Sequence, residues 1–156
     1  FMFEIIIEHL PEDDELEVVR ATTSIVSAEF EPVVSARDII SFQSLIRKVP
    51  VAEPVLRYAV ALTRATRPAE NSPAFIKQYV AYGASVRAAQ HLVLGAKARA
   101  LMSGRYHVSF DDVRALAHPV IRHRIIRNFH AESEKVTTDN IIAQLVQAVP
   151  QPKSGM

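Results

Sequence analysis

The stretch GASVRAAQ, residues 83–90, sets Arg87 two positions behind Ser85 at the front of an alanine-rich segment. Ser85 reads as a helix N-cap. That places Arg87 in the first turn, where free backbone N–H groups and the helix dipole already make the potential positive. A cation there costs about 0.3–1 kcal/mol unless an anion stands in front of it. Arg37 holds a comparable place behind Ser35, but Asp38 follows it directly, whereas no acid lies within the turn of Arg87. The partner of Arg87 must come from elsewhere in the fold or from a ligand.

Other residues with chemical potential carry weaker signals. The four glycines, Gly83, Gly95, Gly104 and Gly155, belong to neither G-x-x-x-x-G-K-[ST] nor G-x-G-x-x-G, so these residues alone cannot cradle a triphosphate. GASVR is not a nucleophile elbow, because Arg87 stands where G-x-S-x-G requires its second glycine. His118 and His123 in HPVIRH are five apart with Pro119 between them; this matches no zinc spacing and reads as polar surface or half-buried histidine. Asp111 and Asp112 are adjacent in a first turn, where carboxylates stabilise the helix and point in different directions. The densest basic stretch, RHRIIR, offers Arg122, Arg124 and Arg127 to phosphate, to a partner protein or to solvent. No cysteine is present to form a disulfide or a thiolate metal site.

Stepping outward along the chain, the elements that must position these groups are mostly helical. Phe1–Ile7 is an apolar, β-prone run that predicts a short strand, and Pro11 opens a helix to about Ser24 with carboxylates throughout its first turn. Residues 25–34 form a connector. Ser35 and Asp38 make a capping-box pattern ahead of an amphipathic helix expected to lie in the core, with Ile39, Ile40, Phe42 and Leu45 on its stripe. Pro54 starts a helix with the stripe Val55, Ala59 and Leu62, and residues 70–75 are a loop. A long helix over 84–103 ends at Gly104, with Gly95 implying the close approach of a neighbour. Ser109 and Asp112 cap a helix running to about His118, residues 120–130 read as a strand or irregular arm, and Thr138 with Asp139 opens a last helix through Ala148.

Composition bounds the class. The 156 residues are 49% apolar and 22% charged, as in a soluble globular domain, and no apolar run approaches the roughly 18–20 residues of a membrane span. With no leader-like segment, the expected location is cytoplasmic. Net charge is only +1, too low for a dedicated nucleic-acid binder, yet residues 1–31 hold nine acids and one base while residues 83–130 hold eight Lys or Arg and two acids. The start at Phe1 rather than Met reads as a piece of a longer polypeptide.

YGASVRAAQHLVLGAKARALMSGRYHVSFDDVRALAHPVIRHRI, residues 82–125, resembles the C-terminal lid subdomain of MoxR-type AAA+ ATPases, whose pattern runs Gly-Ala-Ser-Pro-Arg, an alanine-rich helix, Gly-Arg, an extended segment ending in Val, Asp-Val, and Leu-Arg-His-Arg. The likeness spans about residues 50–150, with TRATRP (63–68) fitting the family's preceding Thr-Arg stretch; Val86 departs from the family's proline. The resemblance implies a mainly α fold, a small helical bundle of AAA+ lid type with an N-terminal strand remnant and one or two short strands. Residues 1–10 would be the last strand of the ATPase core, 11–150 the lid and 151–156 a flexible tail. It further implies a parent ATP hydrolase that uses ATP with Mg²⁺, whose phosphate-binding loop and metal ligands lie upstream, so that this chain alone is inactive and holds neither nucleotide nor metal. Arg87 aligns with the sensor-2 arginine that reaches the terminal phosphate, with Gly83 and Ser85 in the same nucleotide-facing loop. Expected partners are the chain's own upstream core, further copies in a ring, and von Willebrand factor A domain proteins, the ring remodelling protein complexes as a chaperone. The competing reading is a helical protein-interaction module that uses Arg122, Arg124 and Arg127 and has no nucleotide role.

Overall fold

The computed structural model describes residues 1–25 and 30–152. The expected connector over 25–34 and the tail over 151–156 therefore lie partly outside the described residues. The helices are α1 (Glu12–Thr23), α2 (Ala36–Lys48), α3 (Glu53–Ala65), α4 (Ala74–Tyr79), α5 (Val86–Met102), α6 (Phe110–Ala115), α7 (Ala117–Ile121), α8 (Phe129–Ser133) and α9 (Thr138–Ala148). Two short strands, β1 (Val80–Tyr82) and β2 (Ile126–Arg127), pair antiparallel with Val80 opposite Arg127 and Tyr82 opposite Ile126. The fold is mainly α with one small sheet, and no described helix is long and apolar enough to cross a membrane.

The core begins at Val49 and is built by α3, α5, α6, α7 and α9. Val55, Tyr58, Ala59 and Leu62 of α3 are buried, as the helical stripe requires, against Ala88, Leu92, Ala96 and Ala100 of α5. Small side chains along α5 let its neighbours come close. At Gly95 an added Cβ would lie 2.7 Å from Leu116 Cδ1 and 3.1 Å from Phe3 Cζ, which accounts for the glycine. Ile141, Ile142 and Leu145 of α9 close the other side of the core.

The ends of the helices follow local chemistry. Ser35 and Asp38 form a capping box on α2, Ser109 and Asp112 one on α6, and Thr137 with Asn140 one on α9. The α9 cap is thus Thr137 rather than Thr138, which frees Asp139 for long-range pairing. Gly104 ends α5 with φ +69°, a left-handed turn in which the Arg105 N–H donates to Ala100 O at 2.9 Å. Asp112 is more than a cap: Arg105 grips both its oxygens at 2.6 and 2.7 Å, and Arg99 Nε lies 3.3 Å away. The Arg105 bonds hold the Asp112 carboxyl down at about 2, outweighing the opposing effect of its burial.

Three expectations need correction. The N-terminal run is not a strand among the described residues: residues 1–11 carry no ladder, and the Glu4 N–H donates instead to Pro119 O at 2.8 Å. A β-prone run becomes a strand only where a sheet edge receives it. α2 is not a core helix, for none of its residues is buried and Ile40 and Phe42 are 66% and 51% exposed. Pro119 does not end a helix. The chain breaks at Leu116, and Pro119 sits in the first turn of α7, where its missing N–H has no partner to lose.

Candidate anion site at the start of the fifth helix

The loop that presents Arg87 is fixed from behind by the end of α3. The buried Thr66 hydroxyl accepts from the Ala84 N–H at 2.8 Å and donates to Thr63 O at 2.7 Å. Arg67 Nε donates to Ala84 O at 2.8 Å, so both backbone groups of Ala84 are held by neighbouring residues of TRATRP. Gly83 is required here, because a Cβ would run into the Thr66 carbonyl oxygen and lie 2.6 Å from Arg67 Cα. This seat aims the chain into α5 at a set angle.

Ser85 occupies the N-cap position with extended backbone, but its hydroxyl makes no capping bond. The Ala88 amide, a usual partner of such a hydroxyl, donates to Ser85 O at 3.0 Å. Among the described residues the Val86 and Arg87 amides have no partner, and the Arg87 side chain is exposed with neither hydrogen bond nor ion pair. Two free N–H groups, a positive helix end and an unpaired guanidinium therefore meet at one exposed place, which is the chemistry of an anion site.

The basic stretch behaves differently. Arg122 pairs with Asp139 at 2.8 and 3.0 Å and donates to Glu4 O at 3.0 Å. His118 also reaches Asp139, at 3.2 Å, and these partners, Arg122 first, hold the Asp139 carboxyl below the usual carboxylate range. Arg124 donates to Val120 O, Phe1 O and the His91 ring, and Arg127 to Val136 O at 2.8 Å. Arg122, Arg124 and Arg127, the basic arm of the competing reading, thus each make hydrogen bonds within their own chain. The three arginines bond to backbone carbonyls, a carboxylate and the His91 ring of their own chain, because the 3-10 turn Arg122–Arg124 packs on α7 and α9 and β2 is held by β1.

A cavity of about 820 Å³ between the N-terminal segment, α2 and α5 is walled largely by Met2, Phe3, Ile46, Leu94 and Leu116, and it includes none of Gly83, Ser85 or Arg87. Ser85 and Arg87 lie instead on the exposed surface. The residue pattern points to Arg87 and Arg124 but not to Thr66, Arg67 or His91. TRATRP was the only signal for Thr66 and Arg67, and no spacing rule ties His91 to Arg124 across 33 residues.

Residues 74–145 match the AAA lid domain family. Over 154 residues, 98% of its length, the chain is 26% identical to the chaperone MoxR1 of Mycobacterium tuberculosis (strain ATCC 25618 / H37Rv), covering 41% of that protein. It is 27% identical over 153 residues to the uncharacterized protein YeaC of Bacillus subtilis (strain 168), covering 45% of it. A crystal structure of a candidate ATPase from Cytophaga hutchinsonii ATCC 33406 superposes with a TM-score of 0.88 at 35% identity, over 98% of this chain and 47% of that one. The chain thus spans less than half the length of these relatives.

Proposed function

We propose that the chain is the lid of an ATP-hydrolysing AAA+ protein and that Arg87 is its sensor-2 arginine, contacting the terminal phosphate of ATP held on a separate core. The observation that carries this reading is the unpaired, exposed Arg87 beside the free Val86 and Arg87 amides. A guanidinium fork suits phosphate oxygens, and phosphoryl transfer is accelerated chiefly by stabilising charge on those oxygens. Gly83 contributes by letting the loop seat on Thr66, and Ser85 by leaving the first amides unblocked.

The phosphate-binding loop and the Mg²⁺ ligands belong to the core in this reading. Among the described residues no three His, Asp or Glu side chains converge where a metal ion could sit. Exposed apolar faces on α1 and α2 give that core a surface to pack on. When the terminal phosphate leaves, the Arg87 contact is lost and the lid is free to rotate against the core, so hydrolysis becomes movement. Assembly into a ring, remodelling of protein complexes, a von Willebrand factor A domain partner and a cytoplasmic location complete the proposal.

The test is turnover in the protein that carries both core and lid. Arg87→Ala should cut ATP hydrolysis by about tenfold or more, the scale of losing one preorganised charge donor, with ATP affinity falling less. Unchanged turnover would refute the sensor role.

A further inference from the structure

Behind Arg87 stands a second layer of nitrogen donors. His91 follows it by one helical turn, so the two side chains share a face of α5. Arg124 arrives from the 3-10 turn: its Nη2 donates to His91 Nδ1 at 2.8 Å and to Phe1 O at 2.6 Å, and its Nε to Val120 O at 2.8 Å. Because His91 Nδ1 accepts, the neutral ring carries its hydrogen on Nε2. That Nε2–H and the Nη1 of Arg124 have no partner among the described residues.

The surrounding charges are mostly positive. Arg87 faces the cluster from α5, Arg124 and His123 from the 3-10 turn, and Glu4 from the N-terminal segment, where it lies 3.9 Å from His123. Among the described residues no carboxylate bonds to Arg87, His91 or Arg124. Burial, then Arg124 and Arg87, push the His91 imidazole below its ordinary range, and burial with Arg87 lowers Arg124 as well. The exposed Arg87 and the half-buried Arg124 and His91 are thus brought together with no carboxylate bonded to any of them.

We propose that Arg87, His91 and Arg124 form a single polyphosphate-binding site, in which Arg124 fixes the His91 tautomer and lends its own free Nη1 to a second phosphate oxygen. The proposal rests on the Arg87 reading and extends it from one contact to three. It assigns Arg124 of the basic stretch to nucleotide phosphate rather than to a protein partner.

The test titrates inorganic tripolyphosphate into the chain while ¹⁵N NMR follows the His91 ring. Bound anion should raise the His91 pKa by about a unit, as an opposite charge within hydrogen-bonding range does. Arg124→Met and Arg87→Met should each weaken binding by about tenfold, the effect of losing one charge-assisted hydrogen bond. Since Arg124 also ties Val120 and Phe1 in place, His91→Phe is the second variant; it should lose affinity several-fold with the helical circular dichroism unchanged. A tripolyphosphate site that needs Arg87 but leaves the His91 pKa static and tolerates Arg124→Met and His91→Phe overturns the three-residue site, while the sensor-2 reading stands on its turnover test. Binding indifferent to Arg87→Met, or no binding at millimolar anion, overturns the site outright.

Discussion

Two regions of this molecule carry equally clear amphipathic helices and come to opposite ends. Among the described residues before Val49 not one side chain is buried, although α1 and α2 present Leu16, Val19, Ile39, Ile40, Phe42 and Leu45. From Val49 onward the same kind of stripe disappears into one continuous core shared by α3, α5, α6, α7 and α9. The difference teaches that periodicity specifies a face but does not supply what covers it. In the proposed arrangement the cover for the first region is the AAA+ core.

The sharpest way to break this comparison is to remove apolar volume from each side. Leu62→Ala, at a fully buried position in α3, should lower unfolding free energy by about 2–5 kcal/mol in a denaturant titration of the chain. A cost under about 1 kcal/mol would show that the second region is loosely packed.

Acid should act on the second region next. The carboxyl of Asp112 titrates at about 2 in the folded chain against 3.8 for the free group, so its contribution is complete above pH 4 and lost as pH falls toward 2. That is about 2 kcal/mol for a shift of this size. Thermal midpoints read across this window should drop in the chain as it stands and drop less in Arg105→Met, whose Asp112 has lost the guanidinium that lowers it most. An equal drop in both would place the acid sensitivity elsewhere.

The smallest effect belongs to the first region. Phe42→Ser on the open face of α2 should change stability by less than about 0.5 kcal/mol, as exposed substitutions do. The same variant in the core-bearing protein should cost well over that. A large cost in the chain alone would mean that the face is already covered, by α1 or by a second copy.

Much of the bundle was legible from residues alone. Pro54 at the start of α3, the Ser35 and Ser109 capping boxes and Gly104 as the stop of α5 all rest on local sterics and hydrogen bonding within a few residues. Arg87 was legible for the same reason, since its conflict with the helix dipole is contained in its own turn. The strand pairing was not, because β1 and β2 are 43 residues apart, although β2 falls in the 120–130 stretch that reads as a strand or irregular arm. Nor was the Thr66 and Arg67 seat of Ala84, which joins positions 17 and 18 residues apart through backbone groups that every residue possesses.

The basic stretch shows the limit most clearly. RHRIIR reads as a reservoir of free charge, yet Arg122 ends on Asp139, Arg127 on Val136 O, and Arg124 between Phe1 and His91. Local composition can count charges but cannot pair them. What the sequence by itself determined is helices α1, α2, α3, α5, α6 and α9, the Ser35 and Ser109 caps and the odd arginine at the head of α5, because those depend on neighbours within one or two turns. Only the tertiary structure decided which faces are buried, which arginines find partners and which one is left open, because burial and pairing depend on what chain folding brings within a few ångströms.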